Sequence, residues 1–202
     1  MTPAPDVLAF LLNRRSSRPK MLAAPGPSAD ELRTILTAAA RVPDHKKIVP
    51  WRFLTIAGDA RSALGDALAE IVRAEAPPDD PPGAVRLQTE RERFGFAPLV
   101  VAVVSSPRLT DRVPAHEQVL SAGAAAFNLC LAANALGYHT AWVTDWPSTH
   151  DGAKALLGLE AHEAIAGFVH VGTAAEDQPD RDRPDLSDIV TAWSPPGAQQ
   201  DN

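Results

Sequence analysis

Five consecutive residues, Arg14-Arg15-Ser16-Ser17-Arg18, bring three guanidiniums and two hydroxyls together in a chain whose net charge is −6. Planar guanidinium forks bind phosphate oxygens through paired, charge-assisted hydrogen bonds, and serine hydroxyls add neutral donors. A terminal phosphate is therefore a ligand this cluster suits. The same cations would also complement a helix C-terminus, an effect of about 0.3–1 kcal/mol. A second segment, Arg41-Val42-Pro43-Asp44-His45-Lys46-Lys47-Ile48-Val49-Pro50-Trp51, sets an aromatic ring among cations in one proline-bounded loop. It suits a planar anionic ligand, or a rigid turn with Trp51 in the core. A third, Ala141-Trp142-Val143-Thr144-Asp145, closes a strand-like run, where a ligand or plain core packing would fit.

Other chemistries lack their residues. Cys130 is the one cysteine, which excludes an internal disulfide and any cysteine-rich metal site, and its neighbours Leu129, Leu131 and Ala132 mark it as a core thiol. His45, His116, His139, His150, His162 and His170 form no i, i+4 pair that could make a helical metal face. The sequence has no G-x-G-x-x-G, no G-x-x-x-x-G-K-[ST], no G-x-S-x-G and no H-E-x-x-H. An acidic balance, 19 Lys plus Arg against 25 Asp plus Glu, argues against nucleic acid as a partner. The apolar start precedes its basic cluster, the reverse of a secretory leader, and no apolar run reaches the roughly 18 residues of a membrane span. A cytoplasmic protein is expected.

The length, 202 residues, suits one domain with a tail. Val7, Leu8, Leu11 and Leu12 predict a first helix over 5–14, ended near Pro19. Ser28 with Glu31 predicts a capping box, and Leu32, Ile35, Leu36 and Ala39 the apolar stripe behind it. Arg52–Ala57 reads as a strand, and Leu64, Leu68, Ile71 and Val72 as a helix. Residues 84–94 suit a short charged helix. Leu99–Val104 is apolar on both faces and is expected at the centre of the sheet. Residues 115–136 form the longest helical pattern, with a small-residue centre at 121–126 and Gly137 placed to end it. His139–Thr144 and Ile165–Thr173 read as strands. Between them a helix is expected, with Ser148 and Asp151 as its capping box and Gly158 at its end. Leu186, Ile189, Val190 and Trp193 form an apolar island that needs a surface on this subunit or on another copy.

In this order the three segments, R-R-S-x-R, R-x-P-D-H-K-x-x-x-P-W and x-W-x-T, resemble the nitroreductase family of flavoproteins. The likeness is greatest to its minimal short-chain NAD(P)H nitroreductases and runs from about Pro5 to Thr173, where Gly167–Thr173 looks like the family's late G-x-x-x-x-G-x strand. The resemblance implies an α+β fold with a central mixed sheet flanked by helices. It also implies a homodimer with FMN at the subunit interface, a domain over 1–173, and a C-terminal arm over 174–202 with a flexible end.

By the same resemblance Arg14, Arg15 and Ser16 would hold the FMN phosphate and ribityl end, and Arg18 the pyrimidine side. Arg41 and His45 would come from the opposite subunit, and Trp142, Val143 and Thr144 would line the third motif. Ala132, Ala133, Asn134, Ala135, Leu136 and Gly137 match a stretch associated with the nicotinamide cosubstrate. The implied reaction is ping-pong: hydride from NAD(P)H to FMN N5, then electrons to a nitroaromatic, a quinone or a similar acceptor. It needs no catalytic side chain and no metal, and a cation near N1 and O2, Arg18 or Lys46, would steady the negative charge. The fold would also serve dehydrogenation, dehalogenation, or a non-catalytic flavin- or phosphate-binding module. Two departures from the family pattern stand out. Ile48-Val49 replaces polar positions before Pro50-Trp51, and Val143-Thr144-Asp145 follows Trp142 where the short subgroup often has Arg-Ser-Gly. Arg183 in Arg181-Asp182-Arg183-Pro184 resembles a late basic residue that meets the phosphate.

Overall fold

The computed structural model describes residues 2–109, 112–176 and 178–195. A first helix, α1 (Pro5–Asn13), leads to a two-residue strand, β1 (Leu22–Ala23). α2 (Ala29–Ala39) begins at the predicted capping box: the Ser28 hydroxyl accepts from the Glu31 amide, and the Glu31 carboxylate accepts from the Ser28 amide at 2.8 Å. β2 (Trp51–Ala57), α3 (Ala60–Glu75), α4 (Ala84–Glu92), β3 (Leu99–Ser105) and α5 (Ala115–Ala135) follow. The chain then makes β4 (His139–Val143), α6 (Asp151–Leu156), β5 (Ala164–Ala174) and a short α7 (Leu186–Ile189).

The sheet runs β2-β3-β5, with β4 and β1 sharing the far edge of β5. Every pairing is antiparallel, which corrects the mixed sheet expected from the resemblance. Two helices separate β2 from β3, so the chain returns in the opposite direction. A single helix, α5, separates β3 from β4, and these two run the same way. β5 is inserted between them, so no two like-directed strands touch.

Strand periodicity divides the core into two layers. Leu99, Val101 and Val103 of β3 face Ile35 and Ala39 of α2 and Ala126, Leu129 and Ala133 of α5. Val100, Ala102 and Val104 face the other way, onto Leu68 of α3, Phe94 and Ala153 of α6. β3 is buried throughout, as a central strand should be. Cys130 lies in the α5 layer, and burial pushes its thiol up to about 11, which keeps it protonated and inert.

Several expectations change. β1 carries too few residues for a pattern and is visible only through its pairing with Thr173 and Ala174. α6 is capped by His150, whose ring accepts from the Ala153 amide; Ser148 instead sits in a 3-10 turn and donates to the Asp145 carbonyl at 2.6 Å. The small-residue centre of α5, for which the sequence set no packing partner, places Ala122, Ala125 and Ala126 in this chain's own core. α5 is long and apolar enough to span a membrane by length and composition, contrary to the reading that no run is, but its inward face forms the core beneath the sheet. Leu186, Ile189, Val190 and Trp193 find no surface among the described residues, and Trp193 is 83% exposed. The tail beyond residue 195 lies outside the described residues.

Candidate functional site

The Arg14–Arg18 loop leaves α1 with the Arg14 amide donating to the Phe10 carbonyl at 2.9 Å. The Arg14 guanidinium stands 5.3 Å from the centroid of the Phe127 ring on α5. Arg15 donates to the Pro179 carbonyl and to the Asp180 carboxylate, and Arg183 reaches that same carboxylate at 3.6 Å. The Ser17 amide donates to the Thr140 carbonyl at 2.8 Å and fastens the loop to β4.

Two cavities flank this loop. The first, about 320 Å³, is lined by Phe10, Arg14, Arg15, Ser17, Asn134 and His139, among others. The second, about 380 Å³, has Arg18, Lys20 and Arg93 as its cations and Phe94, Phe96 and Phe168 as its aromatic wall, with Val143, Thr144 and His170 beside them. His139, the first residue of β4, lines the first cavity and Val143, the last, lines the second. Four strand steps put them about 13 Å apart. Among the described residues three buried side-chain atoms lack a hydrogen-bond partner, and two of them, Ser17 Oγ and His170 Nδ1, belong to residues lining these cavities. Buried polar atoms are nearly always paired, so the two orphans suit sites that complete themselves on a ligand.

The wall of the second cavity is organised by charge. Arg93 donates to both oxygens of Glu90, at 2.7 and 3.0 Å, and to Asp145 at 2.5 Å. Glu90 is fully buried and also accepts from the Trp146 indole at 3.0 Å and meets Arg86 at 3.0 Å. Burial favours a neutral Asp145, yet the Arg93 bond holds its carboxyl below the usual range. Phe94 stacks on His170 with centroids 6.0 Å apart and planes at 9°. Burial, then the Arg93 charge, pushes that imidazole down to about 4, so it is neutral near pH 7.

The second sequence motif forms a loop of unusual backbone. Lys46, Lys47 and Val49 have φ of 64°, 55° and 54°, a region β-branched valine rarely enters. The Asp44 carboxylate accepts from the Ile48 and Val49 amides at 3.0 and 2.8 Å and holds the turn. The Trp51 indole donates to Ser121 Oγ at 3.1 Å, and that hydroxyl donates to the Pro43 carbonyl at 2.7 Å. His45 contacts Glu117 of α5 at 2.8 Å.

Known proteins share this fold. The model of the Nitroreductase family matches residues 11–173. The chain belongs to the nitroreductase family. It is 33% identical over 168 residues to "Putative NAD(P)H nitroreductase YdjA" of Escherichia coli K12, covering 83% of this chain and 88% of that one. A crystal structure of a nitroreductase-like family protein from Bacillus cereus superposes with a TM-score of 0.78 at 22% identity, over 96% of this chain and 98% of that one. A nitroreductase with bound FMN from Bacteroides fragilis has a TM-score of 0.66 at 21% identity, over 94% and 99% of the two chains.

Against this family background the structure sorts the residues singled out in the sequence. Arg14 and Arg15 line the first cavity, and Arg18, Val143 and Thr144 the second. Ser16 is exposed beside them, while Ser17, which the motif leaves unassigned, is the buried serine. Trp142 lies outside both linings and folds onto β5, its indole donating to the Ala166 carbonyl at 3.2 Å. Arg41 and His45 are exposed and line neither cavity. Of the stretch 132–137, Asn134 and Gly137 reach the first cavity, and Gly137 ends α5 at φ 87°. Ala133 is buried in the core and faces no cavity. Lys20, Arg93, Phe94 and His170 are not singled out as site residues by the sequence: Lys20 follows the basic cluster, Arg93 and Phe94 follow α4 with no motif, and His170 is a variable position inside the Gly167–Thr173 pattern, so only the fold brings them to one cavity.

Proposed function

We propose that this chain is an FMN-dependent NAD(P)H oxidoreductase that passes electrons to a nitroaromatic, a quinone or a similar acceptor. One observation carries the reading: the Arg14–Arg18 loop bridges a donor-rich cavity and an aromatic-walled, cationic cavity at the two ends of β4. His139 in the first and Val143 in the second stand about 13 Å apart along β4, a span that suits a mononucleotide with its phosphate in one cavity and its ring toward the other. Both cavities hold an orphaned buried polar atom, so the residues present fit the group.

On this reading Arg14, Arg15 and Ser16 bind the phosphate and ribityl end, with Ser17 Oγ as a further partner and Arg183 close by on Asp180. Arg18 orients the pyrimidine side, and Trp142, Val143 and Thr144 support the ring. Asn134 and Gly137 border the place where nicotinamide enters, and the rest of 132–137 shapes the backbone beneath it. When bound, FMN supplies the hydride-accepting N5 and the ping-pong chemistry. The protein supplies orientation, water exclusion and a positive field.

A homodimer completes the site. Val7, Leu8, Leu11 and Leu12 of α1 and Val119, Leu120 and Phe127 of α5 are exposed apolar side chains, as is the island around Trp193. A second copy covering them brings Arg41 and His45 to the opposite site. Residues 1–173 then form the flavin domain and 174–202 the arm across the partner, in a cytoplasmic enzyme.

The purified protein is expected to be yellow and to bleach anaerobically with NADH or NADPH. Arg14→Ala combined with Ser16→Ala should lose flavin on dialysis while keeping its melting temperature as apoprotein. A yellow protein that neither nicotinamide bleaches would leave a binding module. A colourless protein that takes up no added FMN removes the reading.

A further inference from the structure

Two residues past the end of β4, Asp145 places a carboxylate at the lining of the second cavity. An unpaired negative charge there would oppose any ligand that gains electrons. The structure shows how it is cancelled. Arg93 arrives from the end of α4 and meets Asp145 at 2.5 Å, while its other nitrogens are fixed by Glu90. The Arg93 side chain is 16% exposed and that of Asp145 56%, so solvent reaches the carboxylate side of the pair, and Arg93 is held in place by its two bonds to the buried Glu90. The second oxygen of Asp145 accepts from the Trp146 amide at 2.6 Å, so the carboxylate cannot swing away without losing that cap. Arg86 balances Glu90 on the far side. The four charges cancel, and Arg18 and Lys20 are left as the net charge on the cavity.

Resting on the FMN reading, we propose that Arg93 is a positioning residue that neutralises Asp145, and that this pair sets the affinity and the reduction potential of the flavin in the second cavity.

The test compares the holoprotein with Arg93→Gln, Asp145→Asn and the double variant, reading the FMN dissociation constant and the spectroelectrochemical midpoint potential. Arg93→Gln unmasks Asp145, so FMN affinity should fall about tenfold and the potential should drop. Adding Asp145→Asn should return both close to wild type, a rescue that a merely structural arginine would not show. Asp145→Asn alone leaves the buried Arg93–Glu90 pair intact and so keeps the test valid if Arg93→Gln fails to fold. It should raise the potential and tighten FMN. A double variant as impaired as Arg93→Gln, or an Asp145→Asn protein with wild-type potential and affinity, overturns the proposal while leaving the FMN reading standing. A wild-type protein that binds no FMN overturns both.

Discussion

Gly167 and Trp142 occupy one space: a Cβ on Gly167 would lie 1.8 Å from the Trp142 indole nitrogen. The two residues sit on neighbouring strands, with Trp142 paired to Val169 and its ring laid back over Ala166 and Gly167. A tryptophan at the end of β4 can lie flat on β5 only where β5 has no side chain. This explains the glycine by a close approach; no turn or positive φ is involved.

Gly167→Ala is therefore expected to lift the Trp142 indole off β5 and break its bond to Ala166. Overpacking of this kind costs about 1–3 kcal/mol. The melting temperature should fall, and FMN binding should weaken because the displaced ring enters the region assigned to the cofactor. A variant with unchanged melting and unchanged FMN affinity would show that the indole has room elsewhere.

Val49 stores strain that a different residue would release. Its φ of 54° disfavours a β-branched side chain, and that side chain is 49% exposed, so it returns little packing. Val49→Asn should raise stability by about 1 kcal/mol, since asparagine tolerates the left-handed region. The loop it relaxes carries His45 and Arg41, so on the proposed dimer FMN affinity should fall or stay level while stability rises. Denaturant titration of both proteins checks this, and a destabilised variant would locate the strain elsewhere.

The sequence carried the helices and strands whose pattern is internal: the Ser28–Glu31 capping box, the α2 stripe and the wholly apolar β3 each follow from neighbours within a few residues. What it could not carry depends on distant pairing. β1 exists because Thr173 and Ala174 accept it. The all-antiparallel sheet exists because β5, last in the chain, inserts between β3 and β4. The site divides in the same way. The basic loop was legible as a cluster of like residues, but Arg93 is a single cation just past α4, and His170 is a single titratable side chain inside a mostly apolar strand, whose role shows only in its packing. His150 caps α6 because histidine can accept through Nδ1, a use of the residue that composition alone does not suggest.

The Arg52–Glu163 pair gives an acid-dependent term in stability. Arg52 donates to both Glu163 oxygens, at 2.8 and 2.6 Å, and these bonds hold the Glu163 carboxyl down at about 2 against 4.5 for a free glutamate. The folded state thus keeps the charge to lower pH than the unfolded chain does. The stabilisation is complete above pH 4.5 and is lost as pH falls toward 2. Glu163→Gln should cost about 1.5–3 kcal/mol at neutral pH, and the gap to wild type should close in strong acid. Equal stabilities at pH 7 would show that the pair is energetically idle.

His170 acts in a higher window and with the opposite charge. Burial holds it neutral down to about pH 4, whereas an unfolded histidine protonates near 6.5. Between these values the unfolded chain takes up a proton that the folded chain refuses, so stability falls as pH drops from 6.5 to 4 and the loss levels off below that. The shift corresponds to about 3 kcal/mol at the acid end of the window. His170→Phe keeps a ring to stack on Phe94 and removes the titration. Its stability should be nearly flat from pH 6.5 to 4 once the carboxylate contribution shared with wild type is subtracted, with both proteins held in the same flavin-loading state. Parallel pH profiles for the two proteins would mean that the imidazole is protonated inside the fold, and that its Nδ1 has found an acceptor rather than waiting for one.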